Sequence, residues 1–561
     1  MSTTVPTGFI PPFRRAAVLG AGTMGAQIAA HLANAGLEVD LMDMAPEEGD
    51  PNDIVASGFS KAVKMSPDPF FSDAAAERIR LGNFRDDLDR LADVDWVIEA
   101  IVERLDIKRD MMQRIEKAAG PDTIISTNTS GIPVGEIAEG RSESFRSRFL
   151  GTHFFNPPRY LELLEVIPSD QTDEAVVERI ASFARIHLGK GVVVAKDSPY
   201  FIGNRIGVFG LLLAMREHSE GGFTIEEIDE LTGTLVGHPK SATYRTADLV
   251  GLDVLQNVIE NLYEKVPHDE SREVFRLPDM MQQLIEAGRL GQKSGAGFYR
   301  KAGGDILSWN PAAEEYTKPE SKDPGDIDDV REEKDLVRRL RMLLEAEGRS
   351  GGFFRRTTLG LMAYAARRIP EITESPIDVD RAIRWGFSWE MGPFEMWDAI
   401  GFERVYARMQ DEGYELPAWV HAMHDSGDPS FYEGGGEVTR VWSPDGGGFV
   451  ARPRPSDERT FDPDRQEPIW TNEEAALYRV GDDVALFEFR SKANTLGQRV
   501  LAGLRECIAK VESDRDLRGM VIANGGKNFS VGANLKEMGK ALLTGQFDQI
   551  GESIDNFQRS I

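Results

Sequence analysis

Two groups of residues in this 561-residue chain have the types and spacing to do chemistry together. The first is Gly20-Ala21-Gly22-Thr23-Met24-Gly25, followed after a helix-like stretch by Asp43. Glycines at that spacing allow a tight turn, close approach of the backbone to a pyrophosphate and close packing of helix on strand. The helix start adds free N–H groups and the positive end of its dipole. Gly20, Gly22, Thr23, Met24 and Gly25 are therefore expected to hold a dinucleotide. Asp43 is placed to accept hydrogen bonds from a ribose diol and to repel a 2′-phosphate, which points to NAD rather than NADP. The second group is His153 and Glu165. Hydride transfer from a hydroxyl-bearing carbon to NAD needs a base for the hydroxyl proton, and histidine suits that role near neutral pH. Of the eight histidines, only His153 falls where a parallel strand is predicted to end, in Gly151-Thr152-His153-Phe154-Phe155-Asn156-Pro157-Pro158. Glu165 lies in an otherwise apolar strand, Leu163-Leu164-Glu165-Val166. A carboxylate there is costly unless paired, so a bond to His153 would explain it and fix the imidazole tautomer. On local pattern alone, a buried structural His–Glu pair fits nearly as well.

Elements that position these groups are legible around them. Short apolar strands at 96–101, 123–127, 149–154 and 192–195 alternate with helical patterns between residues 15 and 197. That alternation predicts a doubly wound parallel sheet of Rossmann type, an α/β domain with helices on both faces. The helix after the glycines carries Met24, Ile28 and Leu32 at four-residue spacing and stops at Gly36. After Pro199 the pattern turns all-helical, over 201–217, 225–235, 252–265 and 280–288. The expected segments are a nucleotide-binding domain at 1–197, a helical domain at 198–300, a linker at 301–333, a second helical domain at 334–426, a linker at 427–470 and a final α/β segment at 471–561. The linkers are inferred from density in Pro, Gly and Asp. Ala247-Asp248-Leu249-Val250-Gly251-Leu252-Asp253 is echoed by Trp397-Asp398-Ala399-Ile400-Gly401-Phe402-Glu403. The echo suggests a degenerate duplication of the helical domain, so that the chain forms either an intramolecular pseudo-dimer or a homodimer.

Composition excludes several function classes. A formal charge of -28 argues against nucleic acid or an anionic membrane surface as partner. The single cysteine, Cys507, excludes an intramolecular disulfide and fits the cytoplasm. The most apolar run, around 208–215, is far shorter than the ~20 residues needed to span a bilayer. Residues 1–15 read as a short extension rather than a signal peptide. His421, His424 and Asp425 read as a solvated helix end, not a metal site.

The segment 20–25, Val97-Ile98-Glu99-Ala100-Ile101-Val102-Glu103, Ser126-Thr127-Asn128-Thr129-Ser130, the segment 153–157 and Asn204-Arg205 resemble, in order and spacing, the L-3-hydroxyacyl-CoA dehydrogenase family. The resemblance covers about 15–300. It implies NAD-dependent oxidation of (S)-3-hydroxyacyl-CoA to 3-oxoacyl-CoA in fatty acid β-oxidation, with His153 as general base and Glu165 as its electrostatic partner. Ser130 and Asn204 would hold the substrate oxygen and the surroundings of the histidine. Glu103 and Lys108 fall on family positions near the cofactor and the CoA cleft, although on pattern alone Lys108 reads equally as a solvated helix lysine. A thiolase is an implied partner. The rival readings are an NAD-dependent dehydrogenase of a free hydroxy acid and a non-catalytic acyl-CoA-binding scaffold. Two positions depart from the family pattern and bear on pocket shape and chain length. Tyr200 stands where many members have glycine. Ser241-Ala242-Thr243-Tyr244 stands where many have Gly-Pro-Phe-Glu, a motif found instead at Gly392-Pro393-Phe394-Glu395. Near the end, Lys492-Ala493-Asn494-Thr495-Leu496 and Asn528-Phe529-Ser530-Val531-Gly532-Ala533-Asn534-Leu535 resemble the start of an enoyl-CoA hydratase (crotonase) domain, as in multifunctional fatty-acid oxidation enzymes. The Ala533 N–H would be half of an oxyanion hole. Well under half of such a module is present, so no hydratase activity is expected of it.

Overall fold

The computed structural model describes residues 13–559 except 320–322, 435–437, 456, 459–460, 462–465, 482, 526–527 and 546. Most of the predicted N-terminal extension lies outside the described residues. The nucleotide-binding part runs β1 (Arg15–Leu19), α1 (Thr23–Asn34), β2 (Glu38–Asp43), α2 (Asp53–Val63), β3 (Ile79–Asn83), β4 (Trp96–Glu99), α3 (Leu105–Ala118), β5 (Ile124–Thr127), β6 (Phe149–Phe154), β7 (Leu163–Pro168), α4 (Glu174–His187) and β8 (Gly191–Val194). These eight strands form one sheet in the order β3-β2-β1-β4-β5-β6-β7-β8. Their near-continuous apolar character follows from burial on both faces. Ala16, Val18 and Ile98 join one core, whereas the alternate residues Ala17, Leu19 and Val97 join the other. The strand order reverses between β1 and β4, and the glycine turn sits there, where doubly wound sheets bind ligands.

The expectation of a wholly parallel sheet needs one correction. β6 and β7 pair antiparallel and β7 pairs parallel with β8, so the last two strands run against the rest. The link at 155–162 is too short for the roughly dozen residues of a parallel crossover. Reversal is the only connection it permits.

Helices follow: α5 (Gly203–Glu220), α6 (Ile225–Leu231), α7 (Tyr244–Val250), α8 (Leu252–Lys265) and α9 (Asp279–Glu286). Thr224 and Glu227 close a capping box at the start of α6, satisfying N–H groups that helical bonds leave free. A second helical block comprises α10 (Leu336–Glu345), α11 (Gly360–Arg368), α12 (Pro376–Phe387), α13 (Pro393–Ile400), α14 (Phe402–Asp411) and α15 (Ala418–Asp425). The two expected linkers are corrected in part, because each carries a three-stranded antiparallel sheet. The first is β9 (Tyr299–Ala302), β10 (Asp305–Asn310) and β11 (Glu315–Thr317), and the second is β12 (Tyr432–Glu433), β13 (Arg440–Ser443) and β14 (Gly448–Ala451). The glycines that suggested linkers are hairpin turns instead, with Gly303 and Gly304 at φ 57° and 94°.

The two blocks are wired alike. Asp229 accepts hydrogen bonds from the N–H groups of Thr243 and Tyr244 and from the Tyr299 hydroxyl. Asp380 accepts from the N–H groups of Phe394 and Glu395 and from the Tyr432 hydroxyl. Asp248 accepts from the N–H groups of Phe298 and Tyr299, and Asp398 from those of Phe431 and Tyr432. Burial pushes the Asp248 and Asp398 carboxyls up to about 6 each. The second block packs on the sheet edge and on α5. A Cβ added to Gly191 of β8 would lie 2.4 Å from the Trp385 ring, and one added to Gly207 of α5 would lie 2.0 Å from the Phe387 ring. Arg205 of α5 bonds the Asp269 carboxylate and the Tyr364 hydroxyl of α11, both at 2.6 Å.

Residues 13–455 belong to one compact unit and those from 457 onward to a second. In the second, β15 (Trp470–Thr471), β16 (Ala475–Val480), β17 (Val484–Phe489) and β18 (Gly519–Ile522) form a four-stranded sheet, with α16 (Gln498–Ser513) linking the parallel pair β17 and β18. Its core gathers Leu477, Phe487, Val500, Leu504 and Cys507. Helices α17 (Leu535–Leu543) and α18 (Phe547–Gln558) follow. Among the described residues, no helix is long and apolar enough to cross a membrane.

Candidate active site

His153 and Glu165 are register partners across the antiparallel pair β6 and β7. Directly opposed residues place their side chains on the same face within reach of each other, so strand pairing alone brings them together. His153 Nδ1 lies 2.7 Å from Glu165 Oε2. Both are buried, His153 at 4% exposure and Glu165 at 0%. The second carboxylate oxygen, Oε1, accepts the Ile202 N–H at 3.0 Å and the Gly203 N–H at 2.7 Å, at the start of α5. A helix N-terminus favours negative charge, which makes a buried carboxylate tolerable there. With Nδ1–H donated to Glu165, His153 Nε2 is left as the acceptor. The Phe155 and Phe201 rings flank the imidazole at 4.7 and 5.6 Å between centroids.

Ser130 lies in the turn after β5, on the same carboxyl edge as His153 at the end of β6, and Asn204 lies in the first turn of α5 beside Gly203. Both are half-buried. Glu103 fixes the Ser130 turn by accepting the Ser130 N–H at 2.9 Å, the Gly131 N–H at 3.1 Å and the Thr129 hydroxyl. Burial alone would push the Glu103 carboxyl up, but Lys108, the Thr129 hydroxyl and the two N–H groups outweigh it and hold it below its ordinary value. Lys108 is not the solvated helix lysine that its pattern alone allowed. It is 1% exposed, with its ammonium 2.7 Å from Glu99 and 3.3 Å from Glu103. It ties β4 to the Ser130 turn through two carboxylates. Glu99 also accepts the Ile101 N–H and the Thr127 hydroxyl. Sequence reasoning missed Glu99 as a part of this frame, although an acid ending the apolar run Trp96-Val97-Ile98 was the available signal. It also missed Asn128, whose Oδ1 accepts the Phe154 N–H at 2.9 Å beside His153, and Gln27, which donates to Asn156 at 3.0 Å.

The glycine turn fits a dinucleotide. Gly20 has φ 108°, and a Cβ there would lie 2.5 Å from the Ala100 carbonyl oxygen; one on Gly25 would lie 1.9 Å from the Gly20 oxygen. These two glycines serve the turn and the helix packing. Gly22 has nothing within 4 Å of a built Cβ, so its side is open to a ligand. No side chain caps α1, so the first-turn N–H groups, including those of Thr23 and Met24, are available to a ligand at the helix start. Asp43 holds the turn by accepting the Ala21 and Met44 N–H groups, each at 2.7 Å, one per carboxylate oxygen. Each oxygen keeps a lone pair for a ribose hydroxyl.

Comparison with known proteins identifies the family. The family model for the 3-hydroxyacyl-CoA dehydrogenase NAD-binding domain matches residues 15–198, and the model for that family's C-terminal domain matches 201–301 and 352–433. The chain belongs to the 3-hydroxyacyl-CoA dehydrogenase family. A Bacillus subtilis relative named "Probable 3-hydroxyacyl-CoA dehydrogenase" is 39% identical, over 98% of this chain and 71% of that protein. A Rickettsia felis relative, named as a fatty acid oxidation complex trifunctional enzyme, is 28% identical over 96% of this chain and 71% of its own length. The 3-hydroxybutyryl-CoA dehydrogenase of Escherichia coli K12 superposes with a TM-score of 0.55 at 23% identity, over 73% of this chain and 98% of that one, a likeness of fold. The nucleotide of the dehydrogenase site is NAD. Among the described residues, no group of three or more His, Cys, Asp or Glu could hold a metal ion. His421 accepts or donates to the Tyr406 hydroxyl at 2.7 Å and His424 stacks on the same ring.

Proposed function

We propose that this chain oxidises (S)-3-hydroxyacyl-CoA to 3-oxoacyl-CoA, with His153 as general base. The observation that carries the reading is the buried bond from His153 Nδ1 to Glu165, which leaves Nε2 free to accept a proton at the ligand edge of the sheet. NAD, when bound, supplies the carbon that accepts the hydride. His153 Nε2 takes the 3-hydroxyl proton as the hydride leaves C3, and the growing imidazolium is stabilised by Glu165. The Ser130 hydroxyl and the Asn204 amide hold the substrate oxygen, Ser130 being fixed through its backbone by Glu103. The flanking Phe155 and Phe201 rings keep water from the imidazole and strengthen its pairing with Glu165. The intact wiring of these groups favours catalysis over a scaffold role. The test is NADH oxidation by acetoacetyl-CoA, by longer 3-oxoacyl-CoA esters and by free acetoacetate. Turnover of the thioesters is expected; preference for the free acid would overturn the reading in favour of a hydroxy acid dehydrogenase.

The second helical block is a degenerate copy of the first and takes the place of a partner subunit within one chain. Support comes from the matching carboxylate wiring, the three-stranded sheet after each block and the packing of Trp385 and Phe387 on β8 and α5. A monomer by light scattering would fit this pseudo-dimer, and a homodimer would contradict it. The second unit is crotonase-like, supported by the strand, helix and parallel strand of β17, α16 and β18 and by the bridge of Leu496 to Ala533. A buried free thiol at Cys507 fits a cytoplasmic location, and the 3-oxoacyl thioester product fits a thiolase as partner.

A further inference from the structure

Tyr200 and Phe201 are consecutive non-glycine residues in left-handed backbone, at φ 62° and 53°. Bulky residues avoid that region, and such strain persists only where the surroundings over-determine it. Glycine would adopt the same backbone freely. The side chains present therefore answer to something other than local conformation. Phe201 faces His153, ring to ring. Its N–H bonds the Ser198 carbonyl, and the next two N–H groups bond Glu165. Tyr200 turns the other way, onto the Ser130 turn. A Cβ built on Gly131 would lie 2.4 Å from Tyr200 Cζ and 2.9 Å from its hydroxyl, so only glycine at 131 leaves room for the ring. Its side chain lies near Asn261 of α8, and the residue is 4% exposed. The ring is thus a fixed wall between the turn that carries Ser130 and the helical block.

We propose that Tyr200 is a positioning and specificity-determining residue, whose ring holds the Ser130 turn at its distance from His153 and limits how far an acyl chain extends past Ser130. The proposal rests on the assignment of His153 and Ser130 to a 3-hydroxyacyl-CoA site. One rigid dipeptide spaces the two groups that handle the substrate hydroxyl, Phe201 against the base and Tyr200 against the hydroxyl holder. Removing the ring opens space beside Ser130 and relaxes the backbone together.

The experiment compares kcat and KM for acetoacetyl-CoA and 3-oxodecanoyl-CoA in wild type, Tyr200→Gly and Tyr200→Phe, with NADH affinity followed by fluorescence. Tyr200→Gly is expected to raise the kcat/KM ratio of the decanoyl over the short substrate about tenfold, the discrimination that one or two methylenes of pocket space confer. Its kcat on acetoacetyl-CoA should fall while NADH affinity is retained. Tyr200→Phe keeps the ring and should keep the wild-type ratio. Tyr200→Asn also tolerates left-handed backbone and carries the same expectation as Tyr200→Gly if that variant does not fold. An unchanged ratio in a folded variant lacking the ring would overturn the proposal while leaving the dehydrogenase reading intact. A wild-type chain inactive on both thioesters would overturn that reading and this proposal with it.

Discussion

Replacing Glu165 by glutamine keeps the shape of the side chain and removes its charge, and the hydrogen bonds around it dictate the outcome. Oε1 accepts two backbone N–H groups, from Ile202 and Gly203, and Oε2 accepts the imidazole N–H. Glutamine has one acceptor oxygen and one donor NH2 group. With its NH2 turned towards α5, two buried N–H groups would lose their partner at about 1–3 kcal/mol each. The amide oxygen therefore stays on the helix start and the NH2 group faces His153 Nδ1. Nδ1 must then accept, and the imidazole proton moves to Nε2, the atom that has to take the substrate proton. A histidine locked in the wrong tautomer costs roughly 10³–10⁴-fold in kcat, equivalent to roughly 4–5.5 kcal/mol of barrier. The assay is NADH oxidation with acetoacetyl-CoA, alongside NADH binding by fluorescence and thermal unfolding. NADH binding and KM should stay near wild type, because the geometry is kept. A Glu165→Gln enzyme with kcat within about tenfold of wild type would refute the tautomer argument.

His153→Gln is expected to bind NADH and to lose most turnover; near-normal turnover of the purified variant would remove His153 from the mechanism. Arg205→Leu leaves the Asp269 carboxylate buried without its closest cation, and chemical denaturation should show a loss of about 3–5 kcal/mol. Burial holds His238 and His31 down at about 3, from an ordinary 6.5, with the Lys190 and Arg159 cations adding to the effect at His31. Both are neutral when folded, so the stability they contribute is present above 6.5 and lost as pH falls from there towards 3. The melting temperature should decline through that window, and a His31→Gln, His238→Asn double variant should flatten the decline.

The sequence by itself determined what local pattern can encode. Glycine spacing and a four-residue apolar period placed the nucleotide turn and α1, and short apolar runs placed the strands at 149–154 and 163–166, because those signals act over a single turn or strand. A bond from His153 to Glu165 was legible as well, because a carboxylate in an otherwise apolar strand is costly unless paired; the antiparallel register that sets the two opposite each other was not. Only the tertiary structure decided what depends on distant neighbours. Lys108 looks like any lysine on an amphipathic helix until Glu99 and Glu103 close over it. Hairpins in the Gly- and Pro-rich stretches have weak alternation, and aromatic residues such as Trp309 and Tyr316 become a sheet face only against the helices they cover. Tyr200 was visible as a departure from pattern, but its strain and its contact with Gly131 were not. A backbone conformation that the residue itself disfavours is imposed by the carboxylate, the rings and the turn around it, and these are assembled only when the chain folds.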